Sequence, residues 1–272
     1  MASIHPTPEV FSIVCPLLFL AGFVDSIAGG GGLISLPAYM LTGMPMHQVL
    51  ATNKLSSTCG TSVTTLRFIL NGLVDLKLAL PSVIAGIAGA SIGSHISLML
   101  SDIVIRRILI VVLPVAAFFV LNKKIFQQED PAAAARQDET QQAPSKKGDW
   151  HPARRTYVIA ALAALIIGMY DGLYGPGTGA FLIIAFTALA KKDVKRANAQ
   201  AKVINLTSNV TALTVFLLNG QAAVLLGLAG AAANIAGNYL GSGLVMRRGA
   251  RIVKPVLLVV LALLFVKVLT GS

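Results

Sequence analysis

Charged side chains are scarce in this chain. Asp, Glu, Lys and Arg make up 12% of its 272 residues, against about 25% in a typical soluble domain. That is too little to cover a globular surface of this size, so a soluble enzyme is excluded. The 55% share of hydrophobic residues excludes a disordered chain as well. Cysteine is nearly missing: Cys15 and Cys59 stand alone inside apolar runs without metal-ligand spacing, and read as small apolar fillers. His47 and His95 are isolated and read as structural. Residues 1–10 hold no Lys or Arg ahead of the first apolar run, so no cleavable signal peptide is expected. No Gly-Lys-Ser/Thr follows a glycine-rich run, which removes a nucleotide-binding loop. No nucleophile–base pair or His/Asp/Glu metal set falls within the apolar runs, so neither catalysis, a metal nor a cofactor is expected. Asn205-Leu206-Thr207 and Asn209-Val210-Thr211 match a glycosylation pattern, but lie in an apolar run and read as chance matches.

What the chain has instead is apolar runs near bilayer length and a mean hydropathy of +0.76, the mark of an integral membrane protein. Ten segments stand out: 9–28, 31–43, 48–71, 76–101 and 103–122, then 155–174, 177–190, 194–219, 221–246 and 250–270. Helices are expected throughout, because lipid cannot satisfy an open sheet edge. Segments 31–43 and 177–190 fall short of the ~20 residues that span a bilayer. The stretch 123–154, rich in Gln, Ala, Lys and Asp, reads as a flexible aqueous loop between 1–122 and 155–272.

The net charge of +11 sits mostly in short loops, where orientation signals lie, and forms no basic–aromatic stripe suited to nucleic acid. With the N-terminus outside and ten crossings, sixteen Lys and Arg fall inside and three outside. The inside group includes Lys77, the central-loop bases, Lys191–Arg196, Arg247 and Arg248. The rule that positive loops stay inside then places both termini outside and the central loop in the cytoplasm.

The two sets of five repeat each other. Gly22-Phe-Val-Asp25-Ser-Ile-Ala-Gly29-Gly-Gly31 matches Gly168-Met-Tyr-Asp171-Gly-Leu-Tyr-Gly175-Pro-Gly177. Lys54 and Lys202 precede Asn71-Gly72 and Asn219-Gly220 by the same interval. Five segments per set is odd, so the second set is inverted relative to the first. The fold class expected is all-α: a polytopic membrane protein of ten helical segments in two inverted five-segment repeats. A broken or re-entrant helix pair opens each repeat, an arrangement common in secondary transporters.

The glycine runs supply the breaks. Gly29–Gly32 and Gly175-Pro176-Gly177-Thr178-Gly179 each end one helix and start a short one, since glycine disfavours helix by roughly 1 kcal/mol per residue and proline suits a helix's first turn. The donors freed at Gly30, Gly31, Gly32, Gly177, Thr178 and Gly179 would face an anion. Gly86-x-x-Gly89-x-x-x-Gly93 and Gly237-x-x-x-Gly241 read instead as close helix packing. Asp25, Asp171, Lys54, Lys202 and Arg67 lie in apolar segments and sum to one positive charge; each calls for a partner or a cavity. Arg67, one turn from its segment end, suits snorkelling to the interface. The two Asp fit helix-end caps, partners for the lysines or proton carriers. The third segments are unusually polar, with Thr52, Asn53 and Lys54 in the first set and Gln200 in the second, and Asn198, Lys202, Asn205 and Asn209 recur at spacings of three and four and so line one face. Such a face fits an anion's shell or interhelical hydrogen bonds equally well. Tyr170 and Tyr174 flank Asp171 as candidates for closing the site.

On Gly22–Pro37, Ala51–Ser57, Gly168–Leu182, Ala197–Asn209 and Asn219-Gly220 the chain resembles the sulfite exporter (TauE/SafE, TSUP) family. The resemblance implies a bacterial inner-membrane carrier of sulfite, organosulfonates or other small organic anions, with no cofactor. Its partners would be a small anion and the lipid bilayer, with a homo-oligomer left open. On this reading Lys54 and Lys202, with the short-helix N-termini, neutralise the anion. Asn205, Asn209, Gln200, Asn53 and Thr52 set selectivity, and Asp25 or Asp171 couples protons. The halves differ between Thr52-Asn53-Lys54 and Gln200-Ala201-Lys202, which argues against a symmetric site. A passive anion channel and a non-transporting scaffold are the competing classes.

Overall fold

The computed structural model describes residues 8–101, 103–104, 154–190, 192–249, 251–253, 255–256 and 259. Eight helices run through them: α1 (Pro8–Ala28), α2 (Gly32–Met40), α3 (Met46–Leu70), α4 (Leu76–Met99), α5 (Arg154–Leu173), α6 (Thr178–Ala188), α7 (Val194–Leu218) and α8 (Val224–Arg248). No strand occurs among the described residues. The eight match the expected segments to within a few residues at each end. The fifth and tenth segments, 103–122 and 250–270, and the loop 123–154 lie almost wholly outside the described residues.

Local chemistry sets the helix ends. Asp75 and Asp193 cap α4 and α7, accepting from the backbone N–H of Leu78 (3.2 Å) and Arg196 (3.0 Å). The repeated Asn-Gly pair is a stop signal: Asn71 and Asn219 are the C-caps of α3 and α7, and Gly72 and Gly220 follow at φ +66°, a conformation glycine adopts without strain. Five helices are long and apolar enough to cross a membrane: α1, α4, α5 over Thr156–Leu173, α7 and α8. Helix α3 has 25 residues, length enough at 1.5 Å each, but it is too polar to count among them. Its Thr52, Asn53, Lys54, Ser56, Thr61, Thr64 and Thr65 are buried, so protein rather than lipid is their solvent. Helices α2 and α6, of 9 and 11 residues, are too short to cross.

Contacts fix the helix directions. Gly237 and Gly241 of α8 lie against the carbonyls of Phe19 and Phe23 on α1, so these helices run parallel. Gly89 and Gly93 of α4 meet the carbonyls of Leu165 and Met169 on α5 in the same manner. On α3, Thr52, Gly60 and Arg67 contact Ala223, Asn234 and Ser242 of α8 in rising order, again parallel. Helices α4 and α7 are likewise parallel, through Asp75 with Gln200 and Gly86 with Ile204 and Thr207. Helix α3 runs opposite to α7, because Lys54 meets Asn209 while Thr65 meets the Lys202 carbonyl. So α1, α3 and α8 point one way, and α4, α5 and α7 point the other. One end of the bundle therefore gathers the start of α4, the start of α7 and the end of α8. There lie Lys77, Lys192, Lys195, Arg196, Arg247 and Arg248, and the Lys195 ammonium donates to the Met246 carbonyl at 3.1 Å.

The glycines at the α4–α5 and α1–α8 seams have no room for a side chain. A Cβ on Gly93 would stand 1.9 Å from the Met169 carbonyl oxygen, and one on Gly89 2.1 Å from that of Leu165. Gly86 is the natural control, because a Cβ there first meets the Ile204 methyl at 3.6 Å. We expect Gly93→Ala to lower stability by about 1–3 kcal/mol through forced separation of the helices, and Gly86→Ala to stay within about 0.5 kcal/mol. Thermal melts of the detergent-purified protein check both.

Candidate functional site

Each glycine-rich run does break the chain. The first helix of each half ends at Ala28 or Leu173, and a short helix restarts at Gly32 or Thr178. The breaks touch: Gly29, at φ +70°, and Gly179 lie backbone against backbone, where a Cβ on either would fall within 2.4 Å of the other. Gly175 and Gly177 also have positive φ, +94° and +80°. The Tyr170 hydroxyl donates to the Pro176 carbonyl at 2.7 Å, satisfying an acceptor that the break leaves without a helical partner.

The buried charges meet beside this crossing. The Lys54 ammonium pairs with Asp171 Oδ1 at 2.8 Å and donates to Asn209 Oδ1 at 2.9 Å. Asp171 also accepts from Thr178 Oγ1 (2.9 Å), Asn205 Nδ2 (3.4 Å) and Ser208 Oγ. The Lys202 ammonium pairs with Asp25 Oδ2 at 2.7 Å, and Thr61 Oγ1 donates to the same oxygen at 3.4 Å. Each lysine thus reaches the carboxylate of the other half. Snorkelling does not apply to either: Lys54 is 2% exposed and Lys202 0%. Buried ions at this depth persist only when paired.

Asp25, Gly29, Gly32, Asn53, Lys54, Ser57, Asp171, Gly175, Thr178, Gly179, Asn205 and Asn209 line a polar cavity of about 20 Å³ between the pairs, room for about one water. The first residues of α2 and α6 are in that lining, so the positive ends of both short helices open onto it. Asn53 Oδ1 is buried without a hydrogen-bond partner.

Several residues singled out from the sequence fall elsewhere. Thr52 Oγ1 accepts from the Ala223 N–H at 3.1 Å, at the start of α8, and Gln200 Oε1 accepts from the Asp75 N–H at 3.2 Å, at the start of α4. Both are spent on helix starts. Gly30, Gly31 and Gly177 are not in the lining, although a Cβ on Gly31 would strike Asp25 at 2.6 Å. Lys202 is behind Asp25 rather than at the cavity wall. Arg67 leaves the cluster: it donates to the Tyr239 carbonyl and to Ser242 Oγ, with its guanidinium 4.1 Å from the centre of the Tyr239 ring. The expected positive sum therefore becomes zero, two lysines against two carboxylates. Tyr174 packs into an apolar cluster with Leu36 and Tyr39 and is not in the lining. Asn198 donates to the Ser26 and Ile27 carbonyls at 3.1 and 3.0 Å, tying down the end of α1.

Ser57, Ser208 and Thr61 belong to the site without having been singled out, and Gly29 and Gly175, read from the sequence only as helix breakers, line its cavity. Ser57 and Ser208 fall within the polar runs, and Thr61 occupies the position of Asn209 in the other half, so matching the two halves residue by residue would have found them. At the basic end a further ion pair, Lys192 to Asp75 at 3.4 Å, joins the α3–α4 connection to the one before α7. Burial pushes the Lys192 ammonium below the ordinary lysine value, and Asp75 opposes the shift. We expect Asp171→Ala to cost about 3–5 kcal/mol by stranding Lys54. The double variant Lys54→Met/Asp171→Leu should recover most of that loss, and a double-mutant cycle of melting curves measures the coupling.

The description "Sulfite exporter TauE/SafE" matches residues 14–268. The chain is 34% identical over 251 residues to "Probable membrane transporter protein ORF9" of Sinorhizobium sp, covering 92% of this chain and 89% of that one. It is 32% identical over 268 residues to "Probable membrane transporter protein YfcA" of Escherichia coli strain K12, covering 98% and 92%. A "Probable membrane transporter protein" of Haemophilus influenzae is 29% identical over 252 residues, covering 92% and 91%. No solved structure matches. Matched from Val14 to near its C-terminal end, with paired helix breaks around buried charges, the chain belongs to the TauE/SafE sulfite exporter family and is a multi-pass membrane transporter.

Proposed function

We propose that this protein is a secondary carrier that exports a small sulfur oxyanion, sulfite or an organosulfonate, across the bacterial inner membrane. The proton gradient or the membrane potential drives it. The observation that carries the reading is the convergence at one cavity of the Lys54–Asp171 pair, of Asp25 with Lys202 paired behind it, and of the N-terminal ends of two short helices. Lysine ammonium and free backbone N–H groups are the donors an oxyanion needs. Asn53, Asn205, Asn209, Thr178 and Ser57 supply neutral polar atoms to discriminate among anions of equal charge. A cavity with room for about one water favours a carrier that must rearrange over a standing pore.

The repeat reading belongs to the same proposal. Equivalent helices α1 and α5, α3 and α7, and α4 and α8 run in opposite directions, which supports two inverted five-segment repeats over 1–122 and 155–272. The basic end then faces the cytoplasm together with the loop 123–154, and both termini are outside.

Transport is tested with labelled sulfite, organosulfonates and acetate in proteoliposomes, with and without an imposed pH gradient or potential. We expect saturable sulfite or sulfonate flux, reduced at least about tenfold in Lys202→Ala, since a charged hydrogen bond is worth about 1.5–3 kcal/mol. Flux that follows voltage alone without saturation would make the protein a channel, and no flux of any of these anions would end the substrate reading. Orientation is read separately. In a Cys15→Ala/Cys59→Ala background, cysteines placed at Lys77 and Arg196 should react with an impermeant thiol reagent only from the cytoplasmic face.

A further inference from the structure

The charges at the cavity cancel, and that decides what can bind there. Lys54 is held by Asp171 and Lys202 by Asp25, so an entering anion meets no net positive charge. Releasing a lysine adds a full positive charge to the partial charges of the two short-helix ends. The two carboxylates are held unequally. Asp171 accepts from Lys54, Thr178, Ser208 and Asn205, and its side chain is 2% exposed. Asp25 accepts from Lys202 and Thr61, and its side chain is 15% exposed.

The difference has a sequence cause. The positions of Thr178, Asn205 and Ser208 are taken in the other half by Gly32, Ser57 and Gly60. Gly60 has no room for a hydroxyl, because its Cβ would fall 1.9 Å from Asn234 Oδ1. Besides its lysine, Asp171 accepts from three neutral donors in a fully enclosed site, whereas Asp25 accepts from one rotatable hydroxyl, so a proton on Asp25 disturbs fewer hydrogen bonds and leaves the Lys202 ammonium needing a new acceptor. Among the described residues, the charged groups facing Asp25 are Lys202 on α7 and, across the cavity, Lys54 on α3 and Asp171 on α5. Helices α2, α6 and α8 present only neutral groups to it.

We infer that the anion binds at Lys202 together with a proton on Asp25, while Lys54–Asp171 stays closed. The proton adds to a carboxylate oxygen of Asp25, the ion pair with Lys202 Nζ opens, and the ammonium takes an oxygen of the anion instead. A monoanion leaves the site neutral before and after. A dianion moves with one net negative charge, which an inside-negative potential drives outward; because the proton leaves with the anion, an inward proton gradient opposes export, so this scheme selects the potential as the driving force. The inference rests on the transport reading of this cavity.

Two measurements test it. In the first, sulfite is added to the detergent-purified protein in weak buffer at mildly alkaline pH, and the pH change is recorded against the amount bound. We expect about one proton taken up per sulfite in the wild type, and uptake close to zero in Asp25→Asn with binding retained. Equal uptake in Asp25→Asn would put the proton on the sulfite and overturn the inference, as would no uptake in the wild type. In the second, infrared difference spectra are taken on acidification with no anion present. We expect an acid carboxyl band that is lost in Asp25→Asn and kept in Asp171→Asn, or in Lys54→Met/Asp171→Leu if the single variant does not fold. The opposite assignment of the band overturns it. If the wild type binds no sulfite, the substrate reading falls, and the infrared result still decides which carboxylate takes the proton.

Discussion

Two ion pairs, each formed between one half of the chain and the other, hold the interior together. Lys54 of α3 reaches Asp171 at the end of α5, and Lys202 of α7 reaches Asp25 near the end of α1. Thr61, Thr178, Asn205, Ser208 and Asn209 are arranged around them. A buried ammonium that lost its carboxylate would be an uncompensated ion far from water, so neither half can reach a stable buried arrangement alone. The polarity of α3, which disqualifies it as a lipid-facing span, follows from the same constraint: it carries Lys54 and the hydroxyls that line its surroundings, and must be enclosed by α7 and α8.

Much of this was legible in the residues. Hydropathy placed eight helices to within a few residues because apolar runs in a membrane protein are bounded by loops that must reach water. The glycine breaks are legible in the glycine and proline runs, and pairing with the lysines is one of the three roles open to Asp25 and Asp171. What the residues did not reveal was commitment. Thr52 and Gln200 look like selectivity groups because they neighbour the lysines, yet each is turned by its place on the helix toward the start of a helix in the other half. Arg67 belongs by composition to the charged cluster, but lies far enough along α3 to stack on Tyr239 instead. Side-chain direction around a helix, not its chemistry, made those differences.

Residues 1–122 and 155–272 share a packing pattern at their glycine seams and differ around the buried carboxylates. The glycine seams α1–α8 and α4–α5 are near copies, each built on carbonyls pressed against glycines at matching positions. The groups around the two carboxylates are not. Asn234 and Asn238 on α8 fill space with amides where the other half has Gly86 and Ala90, and their presence is what leaves Gly60 without a side chain. One carboxylate is thereby wrapped and the other left with fewer partners, a difference that arises from the packing of α8 against α1 and α3.

The crossing of Gly29 over Gly179 bears on how such a bundle can move. The contact is main chain against main chain, with no side chain interposed. A joint of this kind has no rotamers to reset, but Ala28 and Ala180 beside it belong to one buried apolar cluster, so the crossing is set into the core. It also ties the two break points to one another, because neither backbone can shift without displacing its neighbour. Any displacement of α2 that carries Gly29 with it must therefore move Gly179 at the start of α6 as well.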